Sequence, residues 1–281
     1  MDSGSGTNVV SFMSRHFVAL ACEYETINTD GTIHGRDAAV YSGFLIEIYG
    51  QMFWVTAGHC LKEELDENID KGVLRVTGGG FMDYFGQDAQ HFHRVPFTYE
   101  PHSAIYADDP ESGLDFALLK LDELQERSFA ANGLAPITRE NWVHQPDLTF
   151  DFYRMLGIPK QCVFRGKTLG DVTVQQAMVA VNRMAIDEVC EPPFGVKVPS
   201  DAWFVGRIDP GAEISDIRGM SGGPIYGFRR NEAGRLTYHA VALQSRWWRE
   251  SRTIFGCSIP YFAEAIHRQI DEFANSLREE E

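Results

Sequence analysis

The chain has 281 residues, 44% of them hydrophobic and 23% charged, with a formal net charge of −15. That length and apolar content can bury a core without disulfide or metal staples, as one large domain or as two smaller ones sharing an interface. The acidic balance argues against a nucleic-acid partner, since phosphate binding needs clustered Lys and Arg, and only the pair Arg229-Arg230 stands out.

Along the chain, the Ser/Gly-rich opening Met1 to Gly6 belongs to a flexible N-terminus over 1–10. No basic stretch leads into an apolar one, and the apolar run 17–22 is too short to cross a bilayer. The expectation is a cytoplasmic protein with no membrane partner. Short segments rich in β-branched and aromatic residues follow, separated by Gly, Pro, Asn and Asp. They predict strands over 17–22, 43–49, 52–56, 73–77, 116–120, 149–156, 172–181, 202–206, 224–228 and 237–244.

The charged stretch 62–71 predicts a short helix, while Gly78-Gly79-Gly80 and 83–93 read as exposed loop. The hydrophobic period lapses after Leu121, so 124–136 reads as a crossover. From Pro260 onward Phe262, Ile266, Ile270, Phe273 and Leu277 recur every three or four residues, an amphipathic helix that closes the chain.

The five cysteines, Cys22, Cys60, Cys162, Cys190 and Cys257, are odd in number and form neither C-x-x-C nor zinc-ligand spacing. They read as free thiols of a reducing compartment. His91-Phe92-His93 reads as exposed loop rather than a metal site, and the glycine triplet lacks the Lys of a phosphate loop. No metal and no cofactor are expected.

Three motifs carry chemistry. Thr56-Ala57-Gly58-His59-Cys60 supplies a histidine, Gly113-Leu114-Asp115-Phe116-Ala117-Leu118-Leu119-Lys120 an aspartate, and Gly219-Met220-Ser221-Gly222-Gly223-Pro224 a serine among glycines. Serine becomes nucleophilic when a base takes its proton. The base needs the correct neutral tautomer, and a buried carboxylate fixes that tautomer. Ser221 would attack, His59 would move the proton and Asp115 would hold the ring. The glycines permit close approach of backbone to substrate and positive φ.

The order His, Asp, Ser, with these three motifs and the preceding Ser42-Gly43-Phe44-Leu45-Ile46, resembles the chymotrypsin-like (trypsin-fold) serine proteases, of the bacterial or intracellular type. The resemblance implies an all-β fold of two six-stranded antiparallel β-barrels with a C-terminal α-helix. The plan is an N-terminal barrel over 11–125 carrying His59 and Asp115, a crossover over 126–135, a C-terminal barrel over 136–259 carrying Ser221, and the helix over 260–281.

It further implies a serine endopeptidase acting on polypeptides through an acyl-enzyme, with the amides of Gly219 and Ser221 as oxyanion hole. The floor of the primary specificity pocket falls at Ser215 and Asp216. Its walls fall at 242–246, with Arg246, and at 254–256, with Gly256, while Leu243-Gln244-Ser245 would offer a strand edge to the substrate. Where the secreted relatives place a cysteine to bridge the one beside the histidine, this chain has Tyr41, so Cys60 is expected unpaired. Met220 replaces the aspartate through which activatable members receive a newly cut N-terminus. The site is therefore either formed constitutively or ordered by another trigger, such as a protein activator.

Competing readings are a partner-activated dormant effector and a non-catalytic binding module. Gly219-Met220-Ser221-Gly222-Gly223 also satisfies the G-x-S-x-G elbow of α/β-hydrolases, with Asp271 and His239 or His267 completing a triad. That fold requires alternating strands and helices, which the sequence does not show.

Overall fold

The computed structural model describes residues 9–83, 93–109, 113–143, 148–165, 172–185, 202–209, 211, 212, 214 and 216–267. Residues 1–8 of the terminus expected flexible over 1–10, and Cys190, His91, Phe92, Ser215, Asp271 and the closing helix beyond 267, lie outside these residues, while Val9 and Val10 begin a short helix.

The first half is built from β1 (Ala19–Ile27), β2 (Ile33–Tyr41), β3 (Phe44–Ile48), β4 (Gln51–Thr56), β5 (Leu74–Asp83), β6 (His93–Pro96), β7 (Ile105–Asp109) and β8 (Leu114–Lys120). They pair antiparallel as two four-stranded sheets, β2-β1-β5-β6 and β3-β4-β8-β7. A bridge from Phe17 to Phe44 joins their starts. The second half contains β9 (Phe152–Gly157), a small hairpin of β10 (Val163–Arg165) and β11 (Val172–Val174), β12 (Ala177–Arg183), β13 (Trp203–Ile208), β14 (Pro224–Arg230), β15 (Leu236–Trp248) and β16 (Thr253–Ser258). Six of these close a barrel in the order β12-β13-β16-β15-β14-β9. With a helix over 259–267 behind it, this is the trypsin-like layout expected of the chain.

One loop assignment is corrected. Gly78-Gly79-Gly80 is part of β5, where Gly79 lies opposite Cys22. A Cβ at Gly79 would fall 2.5 Å from the Ala21 carbonyl oxygen, so glycine here lets flanking strands close in rather than marking a turn. The 124–136 crossover carries a helix, α4 (Glu123–Ala131), started by a reciprocal capping box between Asp122 and Gln125. It follows the short helices α1 (Val9–Met13), α2 (Gly58–Leu61) and α3 (Glu67–Asp70), the last two joined by one π-helical stretch, Lys62–Asp66.

The core explains the packing of the first half and the docking of the closing helix on it. Trp54 is fully buried, donates its indole N–H to the Val18 carbonyl at 2.8 Å, and lies against Gly43, whose missing Cβ would fall 2.5 Å from the ring. The helix over 259–267 buries Ile259, Phe262, Ala263 and Ile266, and Phe262 stacks on Phe116 with ring centroids 4.9 Å apart. The terminal helix thus packs directly behind Asp115. No described helix is long and apolar enough to cross a membrane.

Candidate active site

His59 sits where β4 runs into α2. Gly58 precedes it because a Cβ there would fall 2.4 Å from the Ala107 carbonyl oxygen and 2.9 Å from that of Phe116. This close approach presses the start of α2 onto β7 and β8. Asp115, the second residue of β8 and 1% exposed, receives His59 twice. The His59 amide donates to Oδ1 at 3.0 Å, and Nδ1 lies 2.8 Å from Oδ2. A carboxylate only accepts, so Nδ1 carries the proton and Nε2 of the neutral ring is left as the basic atom.

Ser245, from the second half, donates its hydroxyl to the same Oδ2. Burial alone would raise the pKa of Asp115, but the bonds and charge of His59 and the Ser245 hydroxyl overcome it and hold the carboxyl below its ordinary value. For His59 burial opposes protonation, while the Cys60 sulfur and the Asp115 carboxylate outweigh it and raise the pKa. Cys60 is itself buried, which pushes its thiol pKa up, and its Sγ lies 3.6 Å from Nε2.

Ser221 lies in a turn whose conformation only glycine adopts readily: Gly219 has φ +92° and Gly222 φ +88°. The amides of Met220, Gly222 and Gly223 are spent on Ile217, Gln244 and Met220 carbonyls. Among the described residues the amides of Gly219 and Ser221 donate to no protein acceptor, which suits them to an oxyanion. The Ser221 hydroxyl donates to the Ser245 carbonyl at 3.4 Å, a long bond that holds it weakly.

The turn is fixed from two sides. Ser42 donates to the Gly219 carbonyl at 2.8 Å, and a Cβ at Gly222 would fall 2.1 Å from Thr56 Oγ1 and 2.4 Å from the Ser42 carbonyl oxygen. Met220 is fully buried in an apolar cluster with Met155, Ile217 and Ile225.

The structure therefore brings His59, Asp115, Ser221 and Ser245 together and rearranges the rest of the expected site. Leu243 and Gln244 offer no edge. Both are buried and paired on two sides, with β16 through Cys257 and Gly256 and with the chain leading into β14 through Pro224 and Gly223. Beyond a bulge at Ser245, Arg246–Trp248 pair with β16 alone, so the one-sided edge starts three residues later than expected.

Ser245 serves Asp115 through its side chain. Gly256 lies inside the barrel wall between Phe204 and Gln244. Asp216 is held by Arg218, whose Nε lies 3.0 Å from both carboxylate oxygens, and Arg246 turns away from it to Asp108 at 3.2 Å. The α/β-hydrolase elbow is excluded, because the serine turn leads into strand β14 rather than into a helix.

Sequence reasoning missed Ser42, Lys62 and Asp108. Asp108 was legible in principle as the partner of Asp115 once β7 was recognised, for the two lie directly opposite. Tyr41 is buried at the end of β2, and burial raises its pKa. Cys22, Cys60, Cys162 and Cys257 are all free.

No family model matches this chain, and no curated protein matches it. Among solved structures it is similar to the thermostable serine protease AL20 from an extremophilic microorganism, at 15% identity and TM-score 0.44, covering 88% of this chain and 92% of that one. It is similar to the protease Anisep from Arthrobacter nicotinovorans, at 15% identity and TM-score 0.46, covering 87% and 90%. A third is the scabies mite inactivated protease paralogue S-I1, at 14% identity and TM-score 0.49, covering 96% and 100%. Identities and scores at this level lend this chain no residue roles, and one of the three is by its own description inactivated.

Proposed function

We propose that this chain is a serine endopeptidase that cuts polypeptides through an acyl-enzyme on Ser221. The observation that carries the reading is the chain of bonds from Ser245 through Asp115 to His59, beside a serine whose turn presents two unspent amides. In the reaction Ser221 Oγ leaves the Ser245 carbonyl, bonds to the substrate carbonyl carbon and passes its proton to His59 Nε2. The negative oxygen formed lies between the amides of Gly219 and Ser221. His59 then protonates the departing amine as the peptide C–N bond breaks, and water, deprotonated by the same nitrogen, hydrolyses the ester.

The present contacts of the two reacting atoms support a conditional form of this reading. Ser221 Oγ is on the Ser245 carbonyl, so the hydroxyl must turn before it can pass its proton to His59, whose ring Asp115 holds. A peptide substrate, or a protein activator that also orders the cleft, would supply that turn. The buried free thiols support work in a reducing, cytoplasmic compartment.

Intact-mass detection of a fluorophosphonate adduct tests the reading, with Ser221→Ala and His59→Ala beside the wild type. Labelling and peptide cleavage confined to the wild type are expected. A Ser221→Ala protein with full peptidase activity would overturn the assignment. Absence of any adduct, with or without candidate partners, would leave the non-catalytic binding module as the reading.

A further inference from the structure

Two carboxylates stand side by side where the halves meet, and they hold the same two segments. Asp108 of β7 lies directly opposite Asp115 of β8, so their side chains share a face of the sheet. Asp115 takes the His59 ring from α2 and the Ser245 hydroxyl from β15. Asp108, whose side chain is 7% exposed, takes Lys62 Nζ at 3.4 Å on Oδ2 and the Arg246 guanidinium at 3.2 Å on Oδ1. Lys62 lies three residues beyond His59, on the same side of the helical stretch, and Arg246 directly follows Ser245.

Two like charges this close and this buried repel unless cations lie with them. The side chains of Lys62, Arg246, Asp108 and Asp115 carry +1, +1, −1 and −1, and they cancel while His59 is neutral. Arg246 makes a further interaction as well.

Ser245 stands at a bulge where β15 slips register against β16, and both of its polar groups serve the site. Its hydroxyl bonds Asp115 and its carbonyl holds Ser221 Oγ. A bulged residue falls outside the regular ladder, so its placement depends on what fixes its neighbours. Gln244 on one side bonds Gly222 and Gly223 within the second half. Arg246 on the other side reaches across to Asp108 in the first.

We propose that Asp108 is a positioning residue for the Ser221 chemistry. Through Lys62 and Arg246 it clamps the His59 helix to the β15 bulge and so keeps Ser245 on the Asp115 carboxylate. The role in acylation rests on the endopeptidase reading, whereas the clamp itself does not.

The test reads two quantities in the full chain. One is the far-downfield proton resonance of His59 Nδ1, which reports the bond to Asp115 and needs no activity. The other is fluorophosphonate labelling of Ser221, split into kinact and KI. Asp108→Asn and Arg246→Met should each shift or broaden the resonance and lower kinact about tenfold, with KI changed less than about twofold, as a displacement of a fraction of an ångström allows. The double variant should be no slower than the slower single, because both changes remove one bond. A resonance unchanged in Asp108→Asn, or losses that multiply in the double variant, overturns the inference. Should Asp108→Asn fail to fold, Arg246→Met, which removes a partly exposed cation, decides by the same resonance. If the wild type takes no label, the endopeptidase reading falls and the resonance alone decides the clamp.

Discussion

Ser42 Oγ donates to the Gly219 carbonyl at 2.8 Å and accepts from the Ile158 amide at 2.9 Å, so one buried hydroxyl of the first half ties down two segments of the second. Ser42→Ala removes the partner of both backbone groups, the Ile158 amide being buried and the Gly219 carbonyl partly so, a cost of about 1–3 kcal/mol. Urea unfolding should show that loss. kcat should fall more than KM rises, because the turn that carries the Gly219 amide loses the bond that anchors its carbonyl.

Gly222 combines positive φ with contact, whereas Gly234 has φ +73° and nothing within 4 Å of a built Cβ. Gly234→Ala should therefore cost about 1 kcal/mol, the price of the backbone conformation alone. Gly222→Ala adds a collision with Thr56 and Ser42 and should cost about 3 kcal/mol or more, lowering Tm by roughly 6–12 °C. Melting curves of equal height for the two variants would contradict the clash.

Activity should fall in acid with a limb above pH 6.5, because His59 must be neutral to act and its pKa is raised. The raised value also means that the His59–Asp115 contact stabilises the fold fully below 6.5 and weakens as pH climbs through the folded pKa. Asp115, lowered, contributes above 3.8 and loses its contribution as pH falls through its folded value. Asp115→Asn should reduce kcat by about 10⁴-fold and move the limb downward in kcat/KM profiles.

His16 is buried between the Ala135 carbonyl and the Tyr238 hydroxyl, each 2.7 Å away. Burial is the main cause that lowers its pKa to about 4. A depressed histidine supplies stability above its unfolded value near 6.5 that drains away as pH falls towards 4, up to about 3 kcal/mol. His16→Gln should flatten that part of the stability–pH curve, measured by denaturant unfolding at each pH.

Of the four described thiols, burial pushes Cys22 and Cys257 up to about 12 and also raises Cys60, while Cys162 is half-exposed. A disulfide reagent at pH 8 should modify Cys162 first. The other three should react only with unfolding, and peptide mapping of the modified protein reads the order directly.

Most strands with strong β-branched and aromatic patterns were legible in the sequence, as were the three motifs that carry the triad residues; β16 was passed over although Thr253-Ile254-Phe255 carries that pattern. β2 and β7 were not legible, because Gly35, Arg36 and Asp37 in one and Asp108 and Asp109 in the other read as turn or loop. They lie at sheet edges, where exposed polar residues cost nothing. α4 was missed, because its periodicity is weak and the Asp122–Gln125 capping pair that starts it went unread. The roles of Ser42 and Ser245 were beyond reach: each is a single hydroxyl whose meaning comes from a partner 177 or 130 residues away.

Met220 fills an apolar hole where a charge would have demanded a counter-charge. The turn that carries Ser221 is thus set by packing rather than by an ion pair at position 220. On the endopeptidase reading, what is left to govern is the hydroxyl itself, released from the Ser245 carbonyl by whatever enters the cleft.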